Sequence, residues 1–173
     1  NGSGYVSNVI AGIEWAMNNG MEVINMSLGT PSDIQALHDA VDAAYAAGVL
    51  VVAAAGNSGD GNSATNNVEY PAKYGSVVAV GATASNDTVP SWSSDGAEVE
   101  LSAPGVSVRS TWNDGLYKTI SGTSMASPHA AGVAALVLAT PVTAGYDADS
   151  DGKWDPAEVR TALRATADDL GAL

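Results

Sequence analysis

A serine at the mouth of a helix built from small residues is a candidate nucleophile, and Ser124 is so placed in ISGTSMASPHAAGVAAL (120–136). Gly122 permits a tight turn and close backbone approach. Ala126, Ala130, Ala131, Gly132, Ala134 and Ala135 keep the following helix thin enough to lie buried against a sheet. At such a terminus, free backbone N–H groups and the positive end of the helix dipole can stabilise an oxyanion formed when the hydroxyl attacks a carbonyl. Taken alone, Gly-Thr-Ser reads first as helix capping by Thr123 and Ser124.

A nucleophilic serine needs a base, usually a histidine held by a carboxylate. The chain has two histidines. His38, in ALHDAV, falls on the solvated side of a helix and reads as a surface residue. His129 follows Ser124 in the same helix, which holds it away from the hydroxyl, so it is expected to be a buried, hydrogen-bonded histidine. Neither is expected to serve as the base.

A second chemical signature is DADSDGKWDPAE (147–158). Asp at loop positions 1, 3, 5 and 9, Gly at 6 and Glu at 12 fit the EF-hand pattern for Ca2+. The expected ligands are Asp147, Asp149, Asp151, the Lys153 carbonyl, Asp155 and Glu158. Carboxylates this close repel one another unless a cation neutralises them. Pro156 suits the first turn of the next helix.

Composition narrows the field. Nineteen acidic residues against six basic ones give a formal net charge of −13. Such a surface repels phosphate backbones, so a nucleic-acid partner is not expected; it suits calcium or a saline medium. With no Cys, disulfides and thiol chemistry are excluded. No apolar run is long enough to span a bilayer, so no membrane partner is expected.

The elements that must position these groups read as α/β. Apolar spacing predicts helices over 7–19, with Val9, Ile10, Ile13 and Met17 on one face, and over 32–48, with Ser32 and Gln35 in capping-box spacing. Strands are expected at 22–29, 49–56, 76–83, 98–103 and 106–111, and further helices near 124–139 and 156–167. The helix–strand alternation implies parallel strands and one domain over 1–173, with ligands gathering at the strands' carboxyl ends near 27–29 and 56–59.

The string GTSMASPHAAG (122–132) resembles the nucleophile motif of the subtilisin-like serine proteases, the subtilases. EWAMNNGMEVINMSLG (14–29), VVAAAGNSG (51–59), YPAKYGSVVAVGAT (70–83) and LSAPGVSVRST (101–111) resemble successive segments in the family's order. The resemblance implies a three-layer α/β fold with a mainly parallel sheet between helices. It covers all but about 140–155, so the calcium loop at 147–158 reads as an insertion.

By that resemblance Ser124 is the nucleophile, and the Asn57 side-chain amide completes an oxyanion hole with the Ser124 N–H. Ser27, Leu28 and Gly29 would pair with an extended substrate and wall the pocket for P1, the residue whose carbonyl is attacked; Ala54, Ala55 and Gly56 would form the other wall. Glu69 falls at the pocket floor, where a carboxylate favours a basic P1 side chain. Backbone carbonyls of Ala72, Tyr74 and Val77, near Glu98 and Glu100, match a second, weaker cation site.

The family's Asp and His precede the region matching Asn1 in chain order. The expectation is therefore part of a secreted, calcium-stabilised serine endopeptidase, monomeric at full length, with polypeptide substrates and its own propeptide as partners. The stretch alone would be inactive, with both N- and C-terminal parts of the fold absent. The competing reading is a non-catalytic calcium-binding module.

Overall fold

The computed structural model describes residues 2–170. In chain order the elements are α1 (Val6–Asn18), β1 (Val23–Met26), α2 (Gln35–Ala46), β2 (Leu50–Ala54), β3 (Val77–Thr83), β4 (Val99–Pro104), β5 (Val108–Thr111), β6 (Tyr117–Ile120), α3 (Thr123–Leu138) and α4 (Pro156–Thr166). Strands β1 to β4 form one parallel sheet in that spatial order.

The period of two along a strand assigns the layers. Val51 and Ala53 of β2, with Val77 and Ala79 of β3, pack against Ile13 of α1 and Leu37, Val41 and Ala44 of α2. Their neighbours Leu50, Val52, Val78, Val80 and Ala82 face the opposite side, against Ala126, Ala130, Ala131 and Ala134 of α3 and Val159 and Leu163 of α4. A strand buried on both faces favours apolar residues at nearly every position, which explains the apolar runs Leu50–Ala54 and Val77–Ala82. The protein is thus a three-layer α/β structure with a parallel sheet between helices. Fully burying a Val side chain contributes about 1.5–3 kcal/mol, so β2 and β3 anchor the fold.

Helix α3 crosses the sheet on a face of alanines, which lets its backbone approach closely. Gly105 and Gly122 meet beside it, through the Gly122 N–H to Gly105 carbonyl bond of 2.8 Å. A Cβ on Gly105 would lie 3.0 Å from the Gly122 carbonyl and about as close to Ala82, so only glycine fits.

Three expectations are corrected. No capping box opens α2: Ile34 occupies the cap position without a side-chain bond, and the Ser32 N–H turns back to Thr30 Oγ1 at 3.3 Å. The first strand stops at Met26, so residues 27–29 lie beyond the sheet. β6 was not expected; it pairs antiparallel with β5 in a separate hairpin. The polar, exposed pattern of Tyr117–Ile120 gives no period-two signal.

The region expected to hold the weaker cation site has a side-chain cation beside it. Arg160 of α4 reaches there, donating from Nε and Nη2 to the Glu100 carboxylate and from Nη1 to the Gly75 carbonyl at 2.7 Å. Glu98 instead accepts from Asn66 Nδ2 at 2.7 Å. Burial alone would lower the Arg160 pKa, but its hydrogen bond and charge contact with Glu100 outweigh that and raise it. A permanent guanidinium supplies the positive charge that the acidic strand needs.

Candidate active site

Thr123 is the first residue of α3 and is completely buried. It does not cap the helix. Its Oγ1 accepts from the Gly56 N–H at 3.2 Å and donates to Asn57 Oδ1 at 3.1 Å. The Thr123 backbone N–H donates to the same Asn57 Oδ1 at 2.9 Å. One buried hydroxyl therefore ties the end of β2 to the mouth of α3.

These bonds also orient the Asn57 amide. A backbone N–H only donates, so the atom facing it must be the amide's oxygen. Nδ2, with its two donors, faces the other way, out of the Thr123 contact. The Ser124 N–H, next along the chain in the first turn of α3, has no intrahelical acceptor, and the turn's backbone hydrogen bonds leave it unused.

Ser124 is half-buried, and its Oγ lies 3.4 Å from the Ser27 carbonyl, a long contact that leaves the hydroxyl loosely held. Its backbone carbonyl is fixed differently. Pro128 lies within α3 and has no N–H to offer the carbonyl four residues back. Ser27 Oγ fills that gap, donating to the Ser124 carbonyl at 2.8 Å. Deeper in, Ser127 Oγ donates to Asn25 Oδ1 at 2.7 Å. The end of β1 is pinned to α3 by these bonds.

The segments 27–29 and 54–56 flank a narrow space that Glu69 enters. The Glu69 N–H bonds the Ala55 carbonyl at 2.8 Å, and Tyr70 exchanges two bonds with Thr30 at 2.8 and 2.9 Å. The half-buried carboxylate accepts from Ser58 Oγ at 3.1 Å. It lies against the bare Cα atoms of both walls. A Cβ on Gly29 would overlap Glu69 Oε2, and one on Gly56 would come within 3.0 Å of Glu69 Cγ. Ser27, Leu28, Gly29, Ala54, Ala55, Gly56 and Glu69 are thus brought together beside Ser124 and Asn57. Among the described residues no cation forms an ion pair with Glu69.

Neither histidine meets the Ser124 hydroxyl. His38 stacks on Tyr74 with ring centroids 4.0 Å apart and lies 3.5 Å from Asp42, on α2. His129 is exposed, which corrects the expectation that it is buried; its Nδ1 faces the Met125 carbonyl at 2.8 Å, within its own helix.

The acidic loop forms a separate centre. Asp147, Asp149 and Asp151 each bring a carboxylate oxygen within 4.8 Å of the others. Asp149 Oδ1 accepts from the Asp151 N–H at 3.1 Å and Asp151 Oδ1 from the Lys153 N–H at 2.8 Å, which curl the loop. Asp155 and Glu158 do not join this cluster. They make the capping box of α4, Asp155 Oδ1 accepting from the Glu158 N–H at 2.8 Å. Glu158, 3% exposed, also accepts from the Asp155 N–H at 3.2 Å and the Ala148 N–H at 2.6 Å. The box was legible in the spacing Asp155-Pro156-Ala157-Glu158 but was absorbed into the calcium pattern. Thr123 was missed as a positioning residue because a threonine before a helix reads first as a cap.

A family model described as Peptidase_S8, subtilase family, matches residues 1–173. Subtilisin DY of Bacillus licheniformis is 54% identical over 170 residues, 98% of this chain and 58% of the relative. Subtilisin E of Bacillus subtilis (strain 168) is 49% identical over 170 residues, 98% of this chain and 42% of the relative. A solved structure described as a cold adapted subtilisin-like serine proteinase superposes with a TM-score of 0.80 at 41% identity, covering 96% of this chain and 56% of that one. The chain spans about half the length of the curated relatives it matches.

Replacing Thr123 by Val keeps its shape but strands the Gly56 N–H and leaves the Asn57 amide held by the residue-123 backbone N–H alone. Leaving one buried donor unsatisfied costs about 1–3 kcal/mol. Urea unfolding of T123V should show a loss of that size; unchanged stability would mean that the hydroxyl does not hold the two segments.

Proposed function

Because the chain belongs to the subtilase family, we propose that it carries the nucleophile, oxyanion hole and substrate walls of a serine endopeptidase. The single observation that supports this is the orientation of Asn57: its carbonyl oxygen is bound by Thr123, the residue before Ser124, which leaves its N–H2 free to donate elsewhere. In this reading Ser124 Oγ attacks the carbonyl carbon of the peptide bond, and the carbonyl oxygen takes the developing negative charge. The Asn57 Nδ2 and Ser124 N–H donate to that oxygen. An amide suits the task because it donates without carrying a charge of its own that would over-stabilise the ground state.

The leaving nitrogen needs a proton and the hydroxyl must lose one. Neither His38 nor His129 is placed for this, so the base and its orienting carboxylate belong to a segment preceding Asn1 in the full-length protein. Residues 1–173 form one part of the peptidase domain and would be inactive alone. The substrate is a polypeptide in extended form, held by residues 27–29 and 54–56. Export from the cell follows from the family reading together with the acidic surface; among the described residues, no helix is long and apolar enough to cross a membrane.

Asp147, Asp149 and Asp151 fit a calcium ion: three hard oxygen donors converge in a loop whose own N–H groups already stabilise negative charge. The Lys153 carbonyl, Asp155 and Glu158 complete the proposed set, although the last two carboxylates also cap α4. Bound calcium would supply the charge that lets the acidic loop close, a stabilising role remote from Ser124.

Three measurements test these assignments in the full-length protein. Ser124→Ala should abolish peptide hydrolysis, and Asn57→Ala should lower kcat by about 10²–10³-fold with KM little changed, a magnitude carried over from subtilisin. Full activity in either variant would remove the oxyanion scheme. Calorimetric titration should show calcium uptake that Asp147→Ala loses, with the thermal midpoint raised by calcium only in the unaltered protein. Equal uptake would dismiss the loop as a site. Cleavage after Lys should exceed cleavage after Leu, and Glu69→Gln should reverse the order; no difference between the two substrates would leave Glu69 without a role in selectivity.

A further inference from the structure

The hairpin of β5 and β6 stands out from the surface around it. Only six residues in the chain are Lys or Arg, and Arg109 and Lys118 are both on this hairpin. Between Gly105 and Gly122 the sole acidic residue is Asp114, so this stretch is locally cationic on a chain of net charge −13. Three large apolar side chains cluster at its tip and are open to solvent: Trp112 at 39%, Leu116 at 66% and Tyr117 at 66%.

The tip is ordered rather than loose. The Trp112 N–H bonds the Leu116 carbonyl at 2.8 Å, the Gly115 N–H bonds the Trp112 carbonyl at 3.1 Å, and the Leu116 N–H bonds Asp114 Oδ1 at 2.9 Å. The aromatic rings also position the cations. Lys118 Nζ lies 4.4 Å from the Trp112 ring centroid and the Arg109 guanidinium 4.9 Å from that of Tyr117. Such cation–π contacts hold both charges at the hairpin without neutralising them.

The hairpin is also continuous with the proposed site. Its base is closed by the Gly122 N–H to Gly105 carbonyl bond and by the Ser107 N–H to Ser121 Oγ bond, both 2.8 Å. β6 therefore runs directly into the turn that carries Ser124. The hairpin strands share no hydrogen bond with residues 27–29 or 54–56. At about 3.3 Å per strand residue, the four residues of β6 carry the tip about 13 Å from its base. That is the reach of about four extended peptide residues.

We infer that this hairpin is an accessory binding surface for an acidic segment of the polypeptide substrate, on the leaving-group side of the cleaved bond. The inference rests on the protease reading above. The acyl side of the substrate occupies the two walls around Glu69, so the chain beyond the bond passes over Gly122 and along β6. Arg109 with Tyr117 and Lys118 with Trp112 stand on opposite faces of the hairpin, so a segment running along the edge of β6 meets one cation and one ring on each face, with carboxylates toward the cations and apolar parts toward the rings.

The test uses the full-length protein and two quenched fluorescent peptides that are identical up to the cleaved bond. One carries Asp-Glu-Asp, the other Gln-Asn-Gln, about three to five residues beyond it. Exposed ion pairs are individually weak, so the acidic peptide should show about fivefold higher kcat/KM, expressed in KM and shrinking with salt. Arg109→Gln combined with Lys118→Gln should remove the difference and leave cleavage of a short anilide, with nothing beyond the bond, unchanged. Equal kcat/KM for the two peptides, or a difference that survives the double change, overturns the inference.

If neither peptide is cleaved, the protease reading fails first. Fluorescence anisotropy then decides the hairpin's role: acidic-peptide binding that the double change abolishes supports it, and binding that is absent or unaltered overturns it. A double change that shifts the sedimentation coefficient while sparing peptide affinity assigns the hairpin to a second copy of the chain, which also overturns it.

Discussion

A single buried hydroxyl links the two halves of the site. Thr123 has no solvent exposure, and its Oγ1 is both acceptor for the end of β2 and donor to Asn57. Inside a protein each of those bonds is electrostatically stronger than in water, and an unmade one is correspondingly costly. The link therefore has two stable states, made or broken, and little between. Everything proposed for Ser124 depends on it, because Asn57 sits in a glycine-bearing loop that has no regular structure to orient its amide.

The fold supplies the rigidity that this link requires. β2 and β3 are buried on both faces, so the strand end that presents Gly56 cannot shift without disturbing two packed layers. α3 approaches from one side on alanines, close enough for Thr123 to reach Gly56 and for Ser127 to reach Asn25. A larger residue at Ala126 or Ala130 would move the helix mouth outward and lengthen both contacts. The site's precision is a packing property before it is a chemical one. Pro128 adds a further device: by withholding its N–H it leaves the Ser124 carbonyl for Ser27 Oγ, which locks the β1 end to the same helix.

Much of this was legible in the sequence, and the gaps have physical causes. The continuous apolar run at 49–56 pointed to a strand covered on both faces, because polar residues are disfavoured there, and 76–83 was expected as a strand and is one. Apolar spacing over 7–19 and 32–48 located both helices of the other layer. The capping box at Ser32 failed because Ser32 turns toward Thr30, a choice set by the bridge between Thr30 and Tyr70 that no local pattern reveals. β6 was illegible because both its faces are polar or exposed. His129 was expected inside, yet the adjoining Ala130 and Ala131 take the buried positions and turn it outward. In the acidic loop one spacing fits both a helix cap, which the structure shows, and the proposed ligand series, and sequence alone favours the second.

The most direct measurement of the central claim is a crystal structure of the full-length protein with a peptidyl phosphonate bound to it. The account predicts a bond from phosphorus to Ser124 Oγ, with one phosphonate oxygen about 2.7–3.1 Å from both Asn57 Nδ2 and the Ser124 nitrogen. Asn57 Oδ1 should remain on the Thr123 N–H. A bound inhibitor whose oxygens all face solvent, with the Asn57 amide turned away from Ser124, would contradict it.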